Sequence, residues 1–226
     1  MSGERREGVE RTVAVRRDGV VLEGDLTLPA GATGIVLFAH GSGSSRFSPR
    51  NRFVARALND AGLGTLLIDL LTADEEVVDV RTARLRFDIG LLAERLGGAL
   101  DWLGRDETTR GLPIGLFGAS TGGGAALVAA ANAPDSVAAV VSRGGRPDLA
   151  DEALPRVRAP TLLIVGGNDA PVIEMNREAM GRMRGVDVRM EIVPGATHLF
   201  EEPGTLEEVA RLASTWFVDH LRPPSS

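Results

Sequence analysis

Five consecutive residues, Gly118-Ala119-Ser120-Thr121-Gly122, set a hydroxyl between two glycines at a spacing that suits nucleophilic catalysis. An apolar run, residues 114–117, comes before them and an Ala-rich stretch follows, which puts the serine on a sharp strand-to-helix turn. Such a turn strains the serine backbone and lifts its hydroxyl above the edge of a sheet. Residues two before and two after must be small, or their side chains collide inside the turn. Gly118 and Gly122 meet that need, and Gly123, Gly124, Ala125 and Ala126 let the helix lie close to the sheet. Alone, G-x-S-x-G is only moderately specific, the plain alternative being a glycine-rich turn with an incidental serine. The strand before it and the helix after it favour chemistry.

A serine nucleophile needs a base and an acid that orients the base, supplied in the chain order Ser, acid, His from the ends of later strands. Asp169 follows the apolar run 161–165 through Gly166-Gly167-Asn168, 49 positions after Ser120. His198 ends Pro194-Gly195-Ala196-Thr197-His198, a further 29 positions on and just past the last apolar run. Both fall where loops reach the carboxyl edge of a parallel sheet, the usual ligand side. Asp169 could instead be a turn former or a helix N-cap. Asp69, at the end of an earlier strand, is the reserve acid. His40 precedes the serine and so fits a role in supporting its own loop. His220 lies on the final helix and reads as surface or packing. His198 and Glu201 have an i,i+3 metal-like spacing, but two ligands without a third make a poor metal site; no metal is expected.

The remaining requirement is an oxyanion hole, two backbone N–H groups aimed at the charge that develops on the carbonyl oxygen. Thr121, the residue after the nucleophile, supplies one. Ser42, in His40-Gly41-Ser42-Gly43-Ser44-Ser45, is the candidate for the other, since a glycine on each side lets its backbone approach a substrate; the alternative is a flexible turn.

Composition narrows the field further. The chain has no cysteine and no tyrosine, and all 25 basic residues are arginine. Disulfides, thiolate metal sites, a cysteine nucleophile, Schiff-base lysines and the Walker lysine are therefore excluded. A net charge of −6 and only nine aromatics argue against a general nucleic-acid role. Gly41-Ser42-Gly43 opens like a dinucleotide fingerprint, yet Arg46 holds the third glycine position and a hairpin precedes the loop. No apolar run approaches the roughly 20 residues of a membrane span. Residues 1–11 are polar, without the apolar segment of a secretory signal, so a cytoplasmic protein is expected.

The elements that must hold these groups begin with two extended segments, 11–17 and 20–28, joined at Asp18-Gly19, a strong hairpin signal. Apolar runs follow at 35–39, 64–70, 114–117, 137–141, 161–165 and 188–193. Helices are predicted near 50–61, 82–103, 121–131, 172–184 and 206–221. Short unbroken apolar strands alternating with amphipathic helices mean a parallel sheet covered on both faces. The expectation is one α/β domain over 1–226, with its core at about 11–221 and flexible termini, the tail 223–226 included.

The hairpin, the His40-Gly41 loop, the G-x-S-x-G turn, the late aspartate and the final histidine together resemble the α/β-hydrolase superfamily. The compact form is most similar to its dienelactone-hydrolase-like branch, over roughly Val13 to Leu221. The resemblance implies an eight-stranded, mostly parallel sheet and hydrolysis of small carboxylic esters or lactones without a cofactor. Dienelactone hydrolases carry cysteine where Ser120 stands. Only residues 142–159 separate two strands where many superfamily members insert a helical lid, so no cap domain and an open or shallow site are expected. Thioesterase, peptidase and acyltransferase activities use the same triad, and a non-catalytic binding protein could share the fold. Arginines recur near the expected site, and Arg143 and Arg146, flanking Gly144-Gly145, are candidates to clamp a substrate carboxylate, against the plainer reading of a solvated, ion-paired rim.

Overall fold

The computed structural model describes residues 8–222; the expectations for the extreme termini fall outside them. Strands β1 (Val9–Arg17) and β2 (Val20–Leu28) form an antiparallel hairpin. Asp18 and Gly19 both take positive φ, the mirror-image turn whose twist matches the strands it joins. Six strands follow: β3 (Ile35–Ala39), β4 (Gly64–Ile68), β5 (Ile114–Ala119), β6 (Ala139–Arg143), β7 (Thr161–Gly166) and β8 (Val188–Val193). They build one eight-stranded sheet in the order β1-β2-β4-β3-β5-β6-β7-β8. β2 meets β4 antiparallel, and from β4 onward every pairing is parallel.

Every residue of β3 through β7 is buried. That explains the unbroken apolar runs, because helices cover both faces and neither can be polar. On one face Val36, Phe38, Phe117, Val141 and Ile164 pack under α1 (Pro49–Asp60) and α6 (Thr205–His220). The Phe38 and Phe117 rings meet there at 4.8 Å. On the other face Leu37, Leu116 and Val140 pack under α3 (Ile89–Arg105), α4 (Thr121–Asn132) and α5 (Ala170–Arg182). Ten of the twelve residues of α4 are buried, which its glycines and alanines make possible by letting helix and sheet approach closely.

Several boundaries differ from the sequence reading, and three of them are informative. The helix expected over 82–103 is α3, which starts at Ile89, and a separate helix, α2 (Ala73–Thr82), comes before it with a 3-10 turn, Leu85–Phe87, between. Val77, Val78 and Val80 of α2 face solvent, so no apolar stripe betrays the helix. Its readable signal is the capping box, in which Thr72 accepts from the Glu75 N–H and Glu75 accepts from the Thr72 N–H. β6 sits two residues later than expected and ends in two buried polar residues, Ser142 and Arg143. β4 ends at Ile68, two residues early. A 3-10 stretch, Pro147–Arg156, is all the regular structure between β6 and β7, and there is no cap domain. Among the described residues no helix is long and apolar enough to cross a membrane.

Candidate active site

The turn from β5 into α4 holds Ser120 at φ 52° and ψ −121°, a conformation that is costly for a residue with a side chain. Surrounding hydrogen bonds maintain it. The Ser120 N–H donates to the Arg143 carbonyl at 3.2 Å, and the Ser120 carbonyl accepts from Gly123 at 2.9 Å and Arg146 at 3.1 Å. The two glycines of the motif are sterically required. A methyl group on Gly122 would run into the carbonyl oxygens of Ala39 and His40, and one on Gly118 would strike the backbone of Gly122 and Gly123.

The structure brings Ser120, His198 and Asp169 together. His198 Nε2 lies 3.2 Å from Ser120 Oγ, and its Nδ1 lies 2.7 Å from Asp169 Oδ2. The aspartate side chain is only 14% exposed against 38% for the histidine, so the carboxylate is shielded while the ring borders solvent. In this arrangement Asp169 accepts from the Nδ1–H and leaves the Nε2 lone pair for the serine proton, the tautomer a base requires. The loops carrying the two groups are fastened to each other. The Asn168 N–H donates to the Ala196 carbonyl at 2.9 Å and its side-chain amide to the Gly195 carbonyl at 2.9 Å. Beyond the ring, Phe200 is buried with φ 55° and the Thr197 N–H donates to Glu202 at 3.0 Å. Asn168, Phe200 and Glu202 were not singled out in the sequence; an amide beside a candidate acid was the signal available for the first.

Ser42 and Thr121 line one small pocket beside the serine, together with His40, Gly41 and Gly43. Among the described residues neither the Ser42 nor the Thr121 backbone N–H has a backbone acceptor. His40 supports the loop, as expected. Its Nε2 accepts from the Leu70 N–H at 3.1 Å, which leaves the proton on Nδ1 to donate to the Gly41 carbonyl at 2.9 Å. Burial lowers the His40 pKa below 6.5, against the opposing pull of the Gly41 hydrogen bond and of Asp69 and Glu76.

The other candidates are occupied elsewhere. The reserve acid Asp69 accepts from the Arg46 N–H at 2.7 Å and pairs with the Arg46 guanidinium rather than with a histidine. Glu201 pairs with Arg50 at 3.1 Å, and among the described residues no three His, Cys, Asp or Glu side chains gather as a metal site. His220 stacks on Trp216 with ring centroids 4.1 Å apart. Neither proposed carboxylate clamp is free. Arg146 gives Nε and Nη2 to Asp148 at 2.8 and 2.7 Å. Arg143 lies within β6, not in the loop after it, and points into the α1–α6 face, against Asn51 and over the Phe200 ring at 5.8 Å. Burial, with the Arg50 charge, lowers its pKa to about 10.

Comparison with known proteins agrees with this architecture. The chain superposes on the crystal structure of a dienelactone hydrolase from Anabaena variabilis with a TM-score of 0.93 and 63% identity, over 96% of this chain and 100% of that one. It also superposes on Est1E from Butyrivibrio proteoclasticus with a TM-score of 0.77, at 16% identity over 92% and 98% of the two chains, a likeness of fold. A Mycobacterium tuberculosis protein named as a phosphoribosyl transferase is 56% identical over 215 residues, which are 95% of this chain and 47% of that protein. The chain thus spans about half the length of the curated relatives it matches. The model of the dienelactone hydrolase family matches residues 26–217, from β2 into α6 and so across the serine, the aspartate and the histidine, and the chain belongs to that family.

Proposed function

We propose that the chain is a serine hydrolase that cleaves small carboxylic esters or lactones through an acyl-enzyme. The observation that carries the reading is the unbroken line of hydrogen bonds from Asp169 through His198 to Ser120 Oγ. His198 Nε2 takes the serine proton as Oγ attacks the carbonyl carbon, and Asp169 stabilises the imidazolium that results. The Ser42 and Thr121 N–H groups hold the tetrahedral oxyanion. His198 then returns the proton to the leaving alkoxide, and the same ring activates the water that releases the acid. The likeness to the Anabaena dienelactone hydrolase favours ester or lactone chemistry, and the short connection from β6 to β7 favours small substrates in an open site. Labelling with a fluorophosphonate, followed by peptide mapping and turnover of short p-nitrophenyl esters, lactones and acyl thioesters, tests the assignment. Modification at Ser120 with ester or lactone turnover is expected; a chain that neither labels nor turns over any of the three refutes it.

A further inference from the structure

The pocket that contains Ser42 and Thr121 has two charged side chains on its wall that keep polar atoms without partners among the described residues. Arg86 is fixed by the buried carboxylate of Asp79. Its Nε donates to Asp79 Oδ2 at 2.5 Å and its Nη2 to the Asp79 carbonyl at 3.1 Å. The Leu85 and Arg86 N–H groups donate to the same carboxylate, at 2.7 and 3.2 Å. Nη1 is the nitrogen left over, and it faces Gly43 of the oxyanion loop, 3.5 Å from where a β-carbon would stand. Glu76 is half-buried, lines the same pocket, and has no side-chain hydrogen bond or ion pair among the described residues. It lies three and four positions before Asp79 and Val80, hence on one face of α2 with them.

Size and charge together select what this pocket takes. Its volume of about 10 Å³ admits one water-sized group. Asp79 offsets the Arg86 charge, so the Glu76 carboxylate leaves the wall with a net negative charge. A carboxylate would suit Arg86 and be repelled by Glu76; an ammonium would suit Glu76 and be repelled by Arg86 Nη1. A hydroxyl satisfies both at once, because it donates through hydrogen and accepts through oxygen. We propose that this pocket is a subsite for a single hydroxyl on the acyl part of the substrate, donating to Glu76 and accepting from Arg86. The inference rests on the serine-hydrolase reading above. Its position beside the two oxyanion N–H groups places that hydroxyl on the second or third acyl carbon. Outside it a broader groove of about 940 Å³, which shares Gly43, Leu71, Glu76 and Arg86 with the pocket, continues past Phe47 and Val80 and receives the apolar remainder.

The test compares methyl butanoates that carry a hydroxyl, methyl, ammonium or carboxylate group at carbon 2 or carbon 3. In the wild-type chain kcat/KM for the better hydroxyl ester exceeds that of its methyl counterpart by roughly 10- to 100-fold, the range for a hydrogen bond to a charged group. The ammonium and carboxylate esters fall below the hydroxyl ester. Glu76→Leu brings the hydroxyl-to-methyl ratio close to one, and Glu76→Gln raises kcat/KM for the carboxylate ester relative to the other three. Thermal unfolding of both variants checks that the change lies in recognition and not in folding. A wild-type ratio near one with Ser120 still labelled by fluorophosphonate overturns the subsite alone. So does a ratio that Glu76→Leu leaves unchanged, the result for a pocket that holds only a structural water. Preference for the carboxylate ester overturns it in favour of Arg86 as an acid clamp. An unreactive Ser120 overturns the parent reading and the subsite with it.

Discussion

Replacing Asp169 by asparagine exchanges one oxygen for an amide nitrogen and tests the whole proposed proton path. The carboxylate now accepts from His198 Nδ1–H across 2.7 Å, which fixes the lone pair on Nε2, 3.2 Å from Ser120 Oγ. Asparagine at the same place can present its amide N–H to Nδ1, and the ring then holds its proton on Nε2, where it cannot accept one from serine. The imidazolium of the transition state also loses its counter-charge in a position only 14% exposed. A wrong tautomer of this kind lowers kcat by roughly 10³- to 10⁴-fold, or about 4 to 5.5 kcal/mol of transition-state stabilisation. The assay is steady-state hydrolysis of p-nitrophenyl acetate, with circular dichroism and thermal unfolding giving the fraction of folded protein. Asp69→Asn is the control, because Asp69 is bound to Arg46 and among the described residues hydrogen-bonds to no histidine. A fall of less than about tenfold for Asp169→Asn, or a larger fall for Asp69→Asn, would refute the path.

Three further outcomes are expected. Ser120→Ala folds with an unchanged melting temperature and loses about 10⁴ to 10⁶ in kcat, since it removes one hydroxyl from a turn; retention of most activity dismisses the nucleophile. Gly122→Ala places a methyl group within 2.5 Å of the His40 carbonyl oxygen, and it should destabilise the fold by several kcal/mol in urea unfolding, with activity lost in parallel. His40, its pKa held down by burial, binds fewer protons folded than unfolded at mildly acid pH. Stability from this residue is therefore fully present above the ordinary value of 6.5 and is lost as pH falls through the folded pKa. The unfolding free energy of wild type relative to the non-titrating His40→Gln should rise between pH 5 and 7; a flat difference contradicts the buried neutral ring.

The strands and the three side chains that converge at the candidate site were legible because both leave strong local marks. Buried parallel strands must be apolar on both faces, and the turn at Ser120 tolerates only glycine at two fixed positions. The fixed chain order of base and acid then located Asp169 and His198 without any knowledge of strand order. Helix α2 was missed because its valines point outward, so its order comes from the Thr72–Glu75 cap, the Asp79–Arg86 pair and the Glu75–Arg95 pair at 2.7 Å instead of an apolar stripe. Sequence position placed Arg143 near the site, but strand pleat decides direction. It shares a face with Val141, and that face looks toward α1 and α6. The pairing of Arg146 with Asp148, two residues on, was open to reading from the sequence.

The strand between Ser120 and Asp169 has a role of its own. β6 separates β5 from β7, so serine and aspartate stand on strands about 9.6 Å apart laterally. One imidazole, with hydrogen bonds of 3.2 and 2.7 Å at opposite corners, reaches over β6 to join them. The tip of β6 is in effect the saddle over which this chain of hydrogen bonds crosses, and its height sets the span of that bridge. Gly144 forms the saddle: a β-carbon there would come within 3.1 Å of the His198 carbonyl oxygen and 3.5 Å of its ring. Any added bulk at this tip lifts the ring away from both neighbours. Loop grafting to change substrate scope can therefore draw on the segment after β4, while residues 144–145 form a keystone that must stay flat.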